Sequence, residues 1–204
     1  MKVLVACEYS GVVTAAFRAA GHDAFSCDLL PSEATILSSV DHPTHFQCDV
    51  RLVLDWGWDL MIAHPPCTYL CNSGVRWMDE ERHRKMELAA AFYQLLWSAP
   101  IPRIAIENPV MHGYAKRALG IEQKRQVVQP WWFGDPTFKG TGFLLKNLPP
   151  LKATKKLTPP KPGTDEHKAW SWVHRTRPSP NRWRIRSRTS TAIAAAMAAQ
   201  WGTL

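Results

Sequence analysis

Two short stretches of this 204-residue chain carry side chains that can do chemistry. The first is Asp59-Leu60-Met61-Ile62-Ala63-His64-Pro65-Pro66-Cys67-Thr68-Tyr69-Leu70. An apolar run stops at two prolines, and a cysteine follows. A thiolate is a strong nucleophile, and the prolines present it on a rigid frame. A buried, inert thiol is the plainer alternative. The second stretch is Arg103-Ile104-Ala105-Ile106-Glu107-Asn108-Pro109. Another apolar run ends at a carboxylate, again beside a proline. A carboxyl group so placed can hold or move a proton.

Both groups need elements that bring them together. Each apolar run is brief and bounded by a breaker, which predicts a buried strand. In open α/β sheets, ligands bind at the carboxyl ends of strands. The start of the chain has the same pattern. Lys2 to Cys7 reads as a strand, and Glu8-Tyr9-Ser10-Gly11 comes after it. A helix is expected over about Val13 to Ala20, closed by Gly21. A second strand, Ala24 to Cys27, ends at Asp28. A glycine-bearing loop after one strand and an acid after the next suit a nucleoside-bearing cofactor. An ordinary βαβ unit with a surface acid has the same appearance. Pro31 to His45 reads as loop and short helix. Phe46 to Val50 reads as a third strand, where Asp49 either contacts a base or caps the next turn. Trp58 to Ala63 is the fourth strand and Cys71 to Gly74 a loop. Asp79 to Ala99 is the longest helix, with Leu88, Ala91, Phe92, Leu95 and Leu96 as its core face. Arg103 to Ile106 is the fifth strand and Tyr114 to Leu119 a short helix. Further apolar pieces lie at Val127-Val128 and Phe143 to Leu145. The alternation predicts an α/β fold, a mostly parallel sheet with helices on both faces.

Composition divides the chain. Apolar residues make up 46%, enough to build a core, and the formal charge is +8. Eleven of the 25 Lys and Arg fall between Leu151 and Ser190, against only Asp165 and Glu166. Trp170, Trp172 and Trp183 are interleaved with them. Basic groups with aromatics form a surface for nucleic acid, through phosphate neutralisation and base stacking. A solvated basic loop would explain the lysines and arginines but not the tryptophans. The expected organisation is a catalytic core over 1–150, a basic segment over 151–190 and a helix packing back within 191–204. The five cysteines are odd in number and irregularly spaced, and Met1-Lys2-Val3-Leu4-Val5 runs straight into a strand. A reducing cytoplasm is the expected setting. No apolar run is long enough to span a membrane. His64, Cys67 and Cys71 lack a fourth zinc ligand, so no metal site is expected.

With Pro65-Pro66-Cys67 at one strand end and Glu107-Asn108 at the next, the chain resembles the DNA (cytosine-5)-methyltransferases. The resemblance is to a compact, phage- or prophage-like member with a reduced target-recognition region. It runs from Lys2 to about Leu148. It implies a Rossmann-like S-adenosylmethionine-dependent methyltransferase fold. It implies that Cys67 attacks C6 of cytosine, with Glu107 and Asn108 as its catalytic partners. It places S-adenosylmethionine on Cys7, Glu8, Tyr9, Ser10, Gly11, Asp28, Asp49 and Pro65. It places the substrate on Pro66, Arg184 and Arg186. The partner is DNA, single-stranded or with its target base flipped out of the duplex. The thiol is then expected to be activated by a locally positive site, and burial to raise the Glu107 pKa. The chain departs from the family at Thr68, where Gln is usual, and at Pro109, where Val is usual. Glu8-Tyr9-Ser10 stands in place of paired glycines, and Gln123-Lys124-Arg125-Gln126 is a poor match to Gln-x-Arg-x-Arg. Methylation of an amino group is disfavoured, because His64-Pro65-Pro66-Cys67 has neither an acid or amide nor an aromatic at the needed places. A variant donor or pyrimidine, and a non-catalytic nucleic-acid-binding protein, remain as alternatives.

Overall fold

The computed structural model describes residues 1–33, 44–108, 110–120 and 125–204. Most of the loop and short helix expected over Pro31 to His45 falls outside the described residues. So do Pro109, Gln123 and Lys124.

Seven strands form one sheet: β1 (Lys2–Ala6), β2 (Asp23–Asp28), β3 (His45–Gln47), β4 (Leu60–Ala63), β5 (Arg103–Glu107), β6 (Gln126–Val128) and β7 (Thr141–Lys146). Their order is β3-β2-β1-β4-β5-β7-β6. β1 to β5 are parallel, and β7 runs antiparallel to β5 and β6. This is the expected Rossmann-like α/β fold, a mostly parallel sheet with helices on both faces. The chain winds away from the sheet centre in opposite directions after β1 and after β4. The switch point, where such sheets bind ligands, therefore lies between them.

The pleat sorts strand residues into two cores. Val3, Val5, Leu60, Ile62 and Ala105 face one side. There they meet Val13 and Phe17 of α1 (Val12–Ala19) and Ile193, Met197 and Trp201 of the last helix, Thr191–Trp201. Leu4, Ala6, Met61, Ala63, Ile104 and Ile106 face the other, against α2 (Glu80–Trp97) and α3 (Gly113–Leu119). The C-terminal helix thus packs back on the sheet as expected. The core face of α2 matches expectation only at Leu96, with Phe92 packed beside it. It is Met86, Ala90, Tyr93 and Leu96, whereas Leu88 is 66% and Leu95 39% exposed. This helix carries two apolar stripes, and a 3.6-residue period cannot say which one the sheet covers. The loop expected over Cys71 to Gly74 runs into a 3-10 turn, Asn72–Trp77.

Residues 151–190 contain three short helices: α4 (Asp165–Trp170), α5 (Trp172–Arg175) and α6 (Arg182–Ser187). The C-terminal helix is α7. No helix among the described residues is long and apolar enough to cross a membrane.

Candidate active site

Register builds the site. Cys27, Ala6, Ala63 and Ile106 are successive partners across β2, β1, β4 and β5. The next residue along each chain is Asp28, Cys7, His64 and Glu107. These four succeed one another along the carboxyl-terminal rim of the sheet, across the switch point.

Beyond β4 the ladder ends with His64, whose N–H donates to Ala6 O at 2.9 Å. Pro65 is buried and Pro66 exposed; neither has an N–H to extend the ladder. The chain then turns. Leu70 and Cys71 both donate their backbone N–H to Cys67 O at 3.0 Å. The turn brings Cys71 back onto Cys67, and their thiols hydrogen-bond. That bond, burial, and the negative charges of Cys71 and Glu107 push the Cys67 pKa up. The expected activated thiolate is therefore not found, because the charges that act on this thiol, Cys71 and Glu107, are negative.

Glu107 ends β5, and its carboxylate accepts from His64 Nδ1 at 2.7 Å, with the two side chains only 15% and 13% exposed. Burial pushes the Glu107 pKa up. The His64 hydrogen bond, with the charges of His64, Lys139 and Arg125, outweighs it and holds the carboxyl below its ordinary value. The expected raised pKa is thus reversed. His64 Nε2 is buried with no hydrogen-bond partner among the described residues. Asn108 is fully buried. Its N–H donates to Gly142 O at 2.9 Å, and its carbonyl accepts from the Arg125 guanidinium. Neither atom of its side-chain amide has a partner among the described residues. Buried polar atoms left without partners call for a water, an ion or a functional role. Gly142 is required here, since a Cβ would lie 2.7 Å from both Asn108 O and Arg125.

The loop after β1 is partly as expected. Cys7 lies beside Asp28 and Asp49; burial first, then Asp28, Cys27 and Asp49, push its thiol pKa up. Asp28 accepts from Leu30 N at 2.9 Å. Asp49 caps a short turn, accepting from Arg51 N at 3.0 Å. Gly11 takes φ 70° at the start of α1. Glu8 points inward instead of toward a ligand. Its carboxylate is buried and accepts from Val13 N at 2.7 Å, Thr14 N at 3.1 Å and Thr14 Oγ1 at 2.6 Å. It caps α1, where free N–H groups and the helix dipole favour an anion. Ser10 Oγ donates to the same carboxylate at 3.4 Å. The Tyr9 hydroxyl lies 3.1 Å from both Arg184 O and Ser187 Oγ, under α6.

The basic segment therefore folds onto the core. Trp170 is buried against Phe138, ring centroids 5.3 Å apart. Trp172 Nε1 donates to Thr137 Oγ1 at 3.2 Å, and its ring is half exposed. Trp183 packs 5.7 Å from Tyr9, and the Arg184 guanidinium lies within 6 Å of both rings. Lys139 Nζ donates to Arg188 O at 2.5 Å and Ser187 O at 3.4 Å. Burial lowers the Lys139 pKa, while Glu107 and Cys67 act on it as nearby negative groups. Lys139, Trp172 and Arg184 line a cavity of about 620 Å³ between this segment and the core.

The rim thus gathers Cys67, Glu107 and Asn108, and, beside them, Cys7, Asp28 and Asp49. It adds His64, Cys71, Arg125 and Lys139, none of which sequence reasoning assigned to the reaction. The one available signal was the position of His64, directly before Pro65-Pro66. Arg184 stacks over the first loop, and Arg186 is exposed.

No family model and no curated protein matches the chain. Among solved structures, a prophage-encoded E. coli protein described as a DNA modification methyltransferase has a TM-score of 0.49 and 19% identity, covering 71% of this chain and 46% of that one. The methyltransferase EhMeth of Entamoeba histolytica has a TM-score of 0.49 and 14% identity, covering 77% and 57%. The chain spans about half the length of these two proteins. The Rossmann-like α/β fold is established by the strand order of the sheet.

Proposed function

We propose that this protein methylates C5 of cytosine in DNA through a covalent bond between Cys67 Sγ and C6. One observation carries the reading. Cys67 and Glu107 converge from adjacent strand ends beside an Asn108 amide that is fully buried and unpartnered among the described residues.

The rim fits S-adenosylmethionine in its donor set. Asp28 and Asp49 supply carboxylates for ribose hydroxyls and an adenine amine, Gly11 brings backbone close, and Cys7 and Pro65 line the approach. The α1 N-terminus is already taken by Glu8, so the amino-acid end of the cofactor is held elsewhere. When bound, S-adenosylmethionine supplies an electrophilic methyl group.

The chain's own residues prepare the base. C5 of cytosine is a poor nucleophile. Formation of the S–C6 bond moves the C5=C6 electron pair toward N3 and makes C5 an enamine carbon. Glu107 and the Asn108 amide hold the N3 and exocyclic-amine edge and stabilise that charge. Lys139, on which Cys67 acts as a nearby negative group, is the cation that can pair with the thiolate once it forms. Loss of the C5 proton and breaking of the S–C6 bond release product. Pro66, Arg184, Arg186 and the cavity beside Lys139 receive the strand.

The test is a trap. With labelled S-adenosylmethionine and DNA containing 5-fluorocytosine, the C5 fluorine cannot leave as a cation, and the adduct persists. A stable adduct mapped to Cys67 and absent in Cys67→Ala is expected. If neither adduct nor label transfer occurs, the reading is wrong. The basic, tryptophan-bearing segment folded onto the core favours a second reading, a non-catalytic nucleic-acid-binding protein. In that case the parent binds DNA and transfers nothing.

A further inference from the structure

We propose that His64 is a positioning residue that acts through Glu107, holding the proton which the carboxyl delivers to the pyrimidine ring nitrogen. The inference rests on the C5 reading above and adds a residue to it.

Geometry carries it. His64 and Glu107 are register neighbours at the rim, joined Nδ1 to Oε2 at 2.7 Å, with both side chains largely withdrawn from water. The short contact requires a proton between the two atoms. The other ring nitrogen, Nε2, is buried and has no hydrogen-bond partner among the described residues. A purely structural histidine in such a place normally has both nitrogens satisfied. Pro65 and Pro66 come directly after it and fix the backbone that carries the ring.

Charge says why a partner is needed. Glu107 faces His64, Arg125 and Lys139, which hold it ionised, and Cys67 stands beside it. An ionised carboxylate can accept from the exocyclic amine but has no proton for N3. An imidazolium–carboxylate pair contains one mobile proton. Moving it from Nδ1 to Glu107 gives neutral imidazole and a carboxylic acid. As the S–C6 bond forms, the displaced electron pair settles on N3 and takes the carboxyl proton. Glu107 returns to carboxylate and His64 is left neutral. When the S–C6 bond breaks, the N3 proton returns to the pair. No oxidant or other reagent is needed.

The groups facing the pair are Cys67 from the turn after β4, Arg125 from before β6 and Lys139 from before β7. The two cations hold Glu107 ionised, so the proton it delivers has to reach it through the His64 hydrogen bond.

The experiment compares the parent with His64→Asn, whose amide nitrogen can still donate to Glu107, and with His64→Gln as a second variant. Circular dichroism and DNA affinity check that each remains folded. Single-turnover methyl transfer is then measured at saturating DNA. A fall of about 10²- to 10⁴-fold, the usual worth of a positioned acid, with DNA affinity unchanged is expected in both variants. If the histidine only held the carboxylate in place, His64→Asn would keep the rate, and an unchanged rate in either folded variant overturns the inference while the C5 reading stands. If the parent itself gives no 5-fluorocytosine adduct, the C5 reading fails and the inference falls with it.

Discussion

Cys67 is a thiol whose surroundings oppose ionisation. Its bond to Cys71 and its nearness to Glu107 both favour the protonated form. Removing the carboxylate charge should therefore ease thiolate formation. In Glu107→Gln, Cys67 is expected to react with iodoacetamide faster than in the parent at every pH measured. Cys71→Ala should act in the same direction by removing the bond. Peptide-mapped alkylation rates across pH 6 to about 10, a span chosen around the ordinary thiol range, give the measurement. A slower Cys67 in Glu107→Gln would mean that the carboxylate serves as its base. The thiol and carboxylate were legible in the sequence, because each ends an apolar run at a proline. Their pKa directions were not. Those depend on His64, Cys71, Arg125 and Lys139, and only the fold brings these together.

The strands and their breakers were legible at the scale of elements, and the rim emerged from them. Register was not. A parallel ladder has no short turn to fix it, so the row Asp28, Cys7, His64 and Glu107 emerges only in three dimensions. The face of α2 is ambiguous in sequence because Leu88 and Leu95 form a second apolar stripe. Glu8 is the clearest change of role. Expected as a cofactor contact, it is the cap of α1, held by three hydrogen bonds. Glu8→Ala should lose about 2 kcal/mol, the upper end for an N-terminal cap, since the freed N–H groups are buried. A urea midpoint lowered at constant slope is the expected sign. An unchanged midpoint would show that α1 does not depend on this carboxylate.

The molecule is a neutral-bodied α/β core with its positive charge concentrated in one segment. That concentration was legible from composition. The way the segment lies on the core was not, because its contacts run from Tyr9 to Ser187 and from Thr137 to Trp172, far apart in sequence. Arg177 and Arg186 of this segment are exposed, and Arg186 lies near Lys139, which lines the cavity together with Arg184. If this surface carries the strand, affinity depends on counterion release. The logarithm of the binding constant then falls linearly with the logarithm of salt, by about 0.9 per phosphate neutralised on duplex DNA and about 0.7 on a single strand. Arg177→Ala and Arg186→Ala should each reduce that slope by about one contact and weaken all sequences equally, because phosphates carry no sequence. Arg184→Ala should do more, since its guanidinium also packs on Tyr9 and Trp183. Titrating fluorescent DNA from about 50 to 200 mM salt measures the slopes over the range where such contacts dominate. Slopes identical to the parent in all three variants would remove this segment from the DNA-binding surface and place the strand elsewhere on the rim.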